Sequence, residues 1–204
     1  MPYKAKNSPN RRQMLGMTIG AALWPLTGQA AAQRYGLDPK RSSVGFAISL
    51  SGAPQKGAMP VSRADIAIDP QNLAATKVAV DLDVTGTRTG LFLITKTMLG
   101  PEVLDAERHP QIRFRSTRIQ LNDSGRLSGG ARVQGDLTVR GVTRPVTLQA
   151  DLFRRPGSAP DDLRELTVRL RGALSRSQFG ASGFADLVAD RVDIDINAVI
   201  RVTD

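Results

Sequence analysis

The chain has 204 residues, 41% of them hydrophobic, with no cysteine, one histidine and a formal net charge of +9. That length allows one domain of ordinary size with a real core. The lack of cysteine excludes disulfides and thiol chemistry without identifying a compartment. The charge is uneven: the first 32 residues carry Lys4, Lys6, Arg11 and Arg12 and no acid, and beyond them 24 basic residues face 19 acidic ones. So small an excess, spread along the chain, is not the clustered basic face that binding nucleic acid calls for.

Residues 1–32 read as a twin-arginine-type signal peptide. Asn10-Arg11-Arg12-Gln13-Met14-Leu15 sets paired arginines before an apolar run from Met14 to Trp24. The run is too short to span a bilayer, and Gly16, Gly20, Ala21 and Ala22 keep it only moderately hydrophobic. Pro25, Gly28 and Ala30-Ala31-Ala32 supply a break and a small-residue cleavage site, with cleavage expected after Ala32. The twin-arginine route carries proteins already folded. A general secretory signal that happens to hold two arginines is the alternative. Either reading places the mature domain, 33–204, outside the cytoplasm, in the periplasm.

Val44 to Leu50 alternates and predicts the first strand, followed by a loop rich in turn formers from Ser51 to Gly57. Val61 to Asp69 predicts a second strand, and Asp69-Pro70-Gln71-Asn72 a turn. Lys77 to Val84 predicts a third, with Val78, Val80, Leu82 and Val84 opposite Asp81 and Asp83. From Thr87 to Leu99 the rhythm changes: Leu91, Leu93, Ile94 and Met98 recur at helical spacing, with Thr89 as the candidate cap and Gly100-Pro101 as the stop. Pro101 to Arg108 offers one more helical turn.

Gln111 to Leu121 predicts a fourth strand whose alternation slips, since Ile112 and Phe114 are out of phase with Ile119 and Leu121; this suggests a β-bulge near Ser116-Thr117. The clearest hairpin follows. Val133, Gly135, Leu137 and Val139 alternate with polar residues, Arg140 to Pro145 makes the reversal, and Val146, Leu148 and Ala150 resume the period on a strand running to Phe153. Leu166 to Leu174 gives the seventh strand. Ser175 to Gly183 gives a loop or short helical turn carrying Phe179, and Val192 to Val202 the eighth strand. Eight alternating strands with short connections point to an all-β fold, an antiparallel sheet with one buried face. Closure into a barrel removes both exposed edges and leaves an interior wide enough for packed side chains or one slender ligand; a two-sheet sandwich is the alternative.

Catalytic chemistry is sparse. One histidine and no cysteine cannot assemble the usual metal sets, so no catalytic or metal-ligating residue is assigned. His109, before Pro110 at a strand entrance, reads as a surface or turn contact. Asp81, Asp83, Asp193 and Asp195 read as solvated outer faces rather than acid–base pairs. Arg113, Arg115, Arg169 and Arg171 read as outward charges, with a basic patch toward an anionic head group or membrane surface as the alternative. Ser175 and Ser177 sit in no nucleophile elbow.

The stretch Gly135-Asp136-Leu137-Thr138-Val139-Arg140-Gly141-Val142-Thr143-Arg144-Pro145-Val146 resembles the central signature of the YceI-like family, secreted lipocalin-like proteins that bind polyisoprenoid chains. Leu37-Asp38-Pro39, Ser43-Val44-Gly45-Phe46, His109-Pro110-Gln111-Ile112-Arg113-Phe114 and Ser175-Arg176-Ser177-Gln178-Phe179-Gly180 follow in the family's order, so the resemblance covers nearly all of Arg34 to Thr203. It implies an eight-stranded antiparallel lipocalin-like barrel with a short helix near one mouth, and a lumen for the tail of an isoprenoid lipid or isoprenoid quinone. The chain departs from the family pattern at Leu50 and at Thr95-Lys96-Thr97, where members often carry histidine or acidic groups, so polar head-group contacts do not carry over.

On this reading the protein is a non-enzymatic carrier or store with no catalytic cofactor. Phe46, Ile48, Phe92, Phe114, Leu137, Leu148 and Phe179 are the expected ligand contacts, and Leu91, Leu93 and Met98 guard one end. Peripheral contact with a membrane and a homodimer are expected as partners beyond the lipid. A filled barrel serving as an interaction or stress-response domain is the alternative, and a lipid head-group enzyme a third.

Overall fold

The structure, a computed structural model, describes residues 32–69, 72–122 and 129–203. The signal peptide expected over 1–32 therefore lies outside the described residues except for Ala32, as do Pro70 and Gln71 of the expected turn.

In chain order the elements are β1 (Gln33–Leu37), β2 (Ser43–Leu50), β3 (Ala53–Met59), β4 (Val61–Ile68), β5 (Lys77–Asp83), β6 (Arg88–Thr89), α1 (Phe92–Leu99), β7 (Gln111–Leu121), β8 (Ala131–Val139), β9 (Val142–Arg154), β10 (Glu165–Ser175) and β11 (Val188–Val202). Single 3-10 turns occupy Leu73–Ala75 and Ser177–Phe179. The pairing order β1-β4-β5-β7-β8-β9-β10-β11 closes through a β1–β11 pairing, which makes an eight-stranded antiparallel barrel, and β2, β3 and β6 extend the wall beyond β11. β1 and β2 both pair with β11, at Leu37↔Ile200 and Ser43↔Asn197, so they act as one long strand broken at the Asp38–Ser42 turn. Pro60 divides β3 from β4 in the same way.

Alternation explains most of the architecture. Along β8, Ala131, Val133, Gly135, Leu137 and Val139 are buried while Arg132 and Asp136 are exposed. The hairpin after it turns on Arg140 and Gly141, which take φ values of 50° and 76°. A two-residue hairpin turn matching the twist of its strands needs positive φ at such positions, and Gly141 adopts it without penalty. The reversal is thus shorter than Arg140 to Pro145: Val139 already pairs with Val142, and Pro145 lies within β9 opposite Asp136. Pro145 is tolerated there because β10 joins β9 only from Gln149 onward, so no donor is wanted on its free side. The slip in β7 is a bulge: Ser116 pairs with Gly135 and Arg118 with Gln134, with Thr117 looped out between them. Ile112, Phe114, Ile119 and Leu121 therefore all reach the interior.

Several local expectations are corrected. Only Ser51-Gly52 forms the turn after β2; Ala53 to Gly57 belongs to β3, whose Gly57 pairs with Phe46. Gln33–Leu37 is a strand that its polar, irregular composition concealed, and the last strand begins at Val188 rather than Val192. Thr89 does not cap the helix. It lies on β6, and its hydroxyl donates to Leu91 O (2.9 Å) while the helix starts beyond Leu91. Pro101 to Arg108 winds through hydrogen-bonded turns, Val103 N–H to Gly100 O (3.1 Å) and Arg108 N–H to Asp105 O (3.1 Å), without forming a helix. Asp81 is not solvated but 9% exposed, ion-paired to Arg115 at 2.6 Å.

Candidate ligand-binding lumen

The inward faces of the strands leave a continuous cavity of about 620 Å³ inside the barrel, within the ~300–1,000 Å³ usual for small-molecule sites. Its walls carry Val44, Phe46 and Ile48 from β2, Val78, Val80 and Leu82 from β5, Leu170 and Leu174 from β10, and Ile194 and Ile196 from β11. All of these are only partly buried although they point inward, because they border open space instead of packing on one another. The lining extends along β11 from Ile200 to Val188, about 40 Å of strand at ~3.3 Å per residue and some ~30 Å of axis at the usual barrel tilt. The shape is long and narrow. A cavity of this size speaks against a barrel filled by its own side chains.

Two glycines keep the bore open. A methyl group at Gly57 would overlap the Phe46 ring, and one at Gly135 would lie 2.5 Å from Cε2 of Phe114. Each ring lies against the wall where a glycine has vacated space, instead of crossing the lumen. The deep end holds a buried cluster of Tyr35, Ile66, Ile68, Leu166 and Ile200, with Tyr35 Oη donating to Leu163 O at 2.9 Å. Burial raises the pKa of the Tyr35 hydroxyl.

The other end is built by the helix and two loops. Met98, Leu104, Ala106 and Phe179 pack together beneath it. Arg140, from the β8–β9 turn, donates to Pro101 O (2.6 Å) and Val103 O (2.8 Å) and so anchors the segment after α1; Gly183 N–H donates to Glu102 O (3.0 Å) and Ser51 N–H to Leu187 O (2.7 Å). The cavity opens between α1 and the 183–188 loop, where Leu93, Phe184 and Leu187 border it while remaining 72%, 42% and 53% exposed.

The Thr76 hydroxyl is buried at the wall without a hydrogen-bond partner among the described residues, whereas Ser42, Asn197 and Arg176 turn their hydrogen bonds toward the backbone. The Ser42 hydroxyl accepts from Val199 N–H (2.9 Å), and Asn197 Nδ2 donates to Arg41 O (3.1 Å). Arg176 is the extreme case. Its guanidinium, 7% exposed, donates to the carbonyls of Ala189 (3.1 Å), Ala181 (2.5 Å), Gly183 (2.7 Å) and Val188 (2.8 Å). A buried cation is stabilised by carbonyl dipoles aimed at it, here with the Asp190 carboxylate close enough to interact, and it fixes the loop that forms the mouth. Nearby, Asp190 accepts from Ser177 N–H (2.8 Å), and its hydrogen bonds to Ser175 and then Ser177 hold its carboxyl below the usual range. The serines act there as a strand-end clamp. His109 packs beside Gly141 at the hairpin turn. Among the described residues no group of His, Asp or Glu is placed to hold a metal.

Of the residues expected from sequence to touch a ligand, Phe46, Ile48, Phe114, Leu137, Leu148 and Phe179 line the cavity, as do Leu93 and Met98 of α1. Leu91 and Phe92 do not: they point outward at 59% and 84% exposure. α1 is short and starts at Phe92, so its first turn projects beyond the wall instead of lying across it. Sequence reasoning missed Arg176, Phe184 and Leu187. The signal available was a pair of large apolar residues in a loop otherwise of Gly, Ser, Ala and Asp.

Comparison with known proteins agrees with the barrel. A UPF0312 protein of Vibrio parahaemolyticus is 33% identical over 148 residues, covering 71% of this chain and 74% of its own length. Protein YceI of Escherichia coli is 27% identical over 190 residues, 92% of this chain and 96% of its own. Among solved structures, Burkholderia cenocepacia BcnA superposes with a TM-score of 0.70 at 24% identity, covering 80% of this chain and 99% of BcnA. A polyisoprenoid binding domain from Saccharophagus degradans, implicated in plant cell wall breakdown, superposes with a TM-score of 0.60 at 13% identity, covering 84% and 99%. The YceI-like domain model matches residues 35–200, nearly the whole barrel, and the chain belongs to the YceI-like family.

Proposed function

We propose that this protein is a periplasmic carrier or store that shelters the tail of an isoprenoid lipid or isoprenoid quinone in its lumen, without catalysing a reaction. The observation that carries the proposal is the long cavity of about 620 Å³ lined almost wholly by aliphatic and aromatic side chains. Burying roughly 20 ligand carbons at ~0.8 kcal/mol each gives about 16 kcal/mol of gross stabilisation, of which ordering the tail removes a large part. Affinity then needs few polar contacts, which suits a wall where Ser42, Asn197 and Arg176 bond to the barrel itself and the Thr76 hydroxyl is buried without a partner among the described residues. The polyisoprenoid-binding description of the Saccharophagus domain supports the choice of tail, and the paired arginines ahead of the short apolar run, expected as an export signal of either kind, support the compartment.

The test is native mass spectrometry and organic extraction of the protein purified from the periplasmic fraction. A stoichiometric prenyl lipid or quinone is the expected result. Repeated recovery of empty protein from that compartment would refute the carrier reading.

A further inference from the structure

The carrier reading leaves open how an insoluble tail reaches the mouth. The first turn of α1 is built against its surroundings. Leu91, Phe92 and Leu93 are consecutive large apolar residues at 59%, 84% and 72% exposure, and Phe92 is the most exposed of the large apolar side chains described. Leu93 also borders the cavity, and Phe184 and Leu187 continue the apolar rim across the opening. Exposed side chains of this size in one contiguous patch mark an interaction surface. The hydrogen bonds across the mouth, Gly183 to Glu102 and Ser51 to Leu187, hold both sides of the opening in place.

Charge identifies the occupant. From Val84 to Pro101 the only charged residues are Arg88 and Lys96, both exposed and without an ion pair among the described residues, so this stretch, α1 included, carries only positive charge. Lys96 follows Phe92 by one helical turn and shares its outward face. Apolar side chains beside unpaired cations fit the boundary between acyl chains and anionic head groups. Across the opening Asp186 sits between Phe184 and Leu187, and Glu102 lies just past the end of α1, where its carbonyl accepts from Gly183 N–H, so the positive, most apolar part of the rim is the first turn of the helix.

We propose that Leu91-Phe92-Leu93, with Arg88 and Lys96, is a docking face by which the mouth seats on an anionic lipid bilayer. The proposal rests on the carrier reading and names its membrane partner. Seating places the opening against the acyl layer, so a tail passes between bilayer and lumen without crossing water.

The experiment is co-sedimentation of the full chain with phosphatidylethanolamine–phosphatidylglycerol vesicles, run alongside native mass spectrometry of lipid content. The variants are Leu91→Ser/Phe92→Ser, at two residues outside the lumen wall, and Arg88→Gln/Lys96→Gln. Wild type is expected to bind these vesicles, with binding falling as salt rises. The apolar double variant is expected to lose at least ten-fold in vesicle binding while keeping the wild-type melting point of the delipidated protein, and the charge variant to lose its preference for anionic over neutral vesicles. Vesicle binding unchanged in the apolar variant overturns the docking face, as does a wild type that ignores vesicles or a solution dimer that the same variant dissolves. Lipid content separates the two claims: an empty wild type that still binds vesicles sinks the carrier reading and leaves the docking face standing.

Discussion

At the scale of single residues, the interior is kept open by what is missing as much as by what is present. Gly57 and Gly135 give Phe46 and Phe114 room to lie flat. Gly135→Val is expected to push the Phe114 ring into the bore, at about 1–3 kcal/mol of overpacking. The measurable result is reduced lipid content by native mass spectrometry, together with a lower urea midpoint. Arg176 shows the opposite strategy, a cation spent on tying four carbonyls together. Arg176→Met keeps much of the apolar stem but leaves those carbonyls unpaired where water is scarce. Unfolding in urea is expected to show a loss of at least about 3 kcal/mol. A loss under about 1 kcal/mol would mean that water replaces the guanidinium freely at a site this buried.

At the scale of elements, the loop from β9 to β10 illustrates how a connection is held by charge. Asp162 accepts from Arg164 Nε (3.0 Å), Nη2 (2.9 Å) and N–H (3.1 Å). The Arg164 side chain, followed by its backbone N–H, lowers the Asp162 pKa from 3.8 to about 2. Because the folded value lies below the ordinary one, this contribution is fully present above about pH 4 and is lost as pH falls through about 2. Glu165, held down by Arg41 and then Arg201, and Asp190 act in the same direction. The thermal midpoint is therefore expected to fall on acidification below pH 4, and Asp162→Asn to shallow that fall. Both are read from melting curves across pH at constant ionic strength.

The elements were legible in the sequence where alternation was strict. β8, β9, β10 and β11 follow the period of Val133, Leu148, Leu170 and Ile194, and even the bulge at Thr117 was visible as a slip in phase. β3 was hidden because Ala53-Pro54-Gln55-Lys56-Gly57 has the composition of a turn and is held in the sheet by pairing with β2, a tertiary cause that local composition does not carry. Of the site, the inward residues of alternating strands could be named. The facing of Leu91 and Phe92 could not, because helical spacing tells which residues share a face but not where the helix begins. Arg176 was equally hidden: nothing in Ser-Arg-Ser-Gln marks a guanidinium that turns inward onto backbone carbonyls.

For the whole molecule, a closed barrel replaces a packed core by a shell. Its three buried clusters sit at the ends and along one wall, around Phe179, Leu166 and Val133, instead of at one centre. A tail filling the lumen would supply the missing packing and bind only the folded state. The proposed lipid is therefore expected to raise stability, by about 2.7 kcal/mol when free ligand stands at 100 times its Kd. Delipidated protein should melt measurably lower than protein purified with its lipid, and reloading should restore the difference. Equal melting points for loaded and stripped protein would argue that the lumen does not hold the lipid.

The packed cluster at Tyr35 and Ile200, opposite the opening, would give the proposed cargo a direction. A tail entering at the helix end would be expected to go in one way round. Its hydrocarbon terminus would run inward toward the Tyr35 cluster, and any polar cap would rest at the opening beside Leu93 and Phe184. Discrimination among ligands would then follow the girth and reach of the greasy part, and a downstream receiver would meet every cargo by its polar cap.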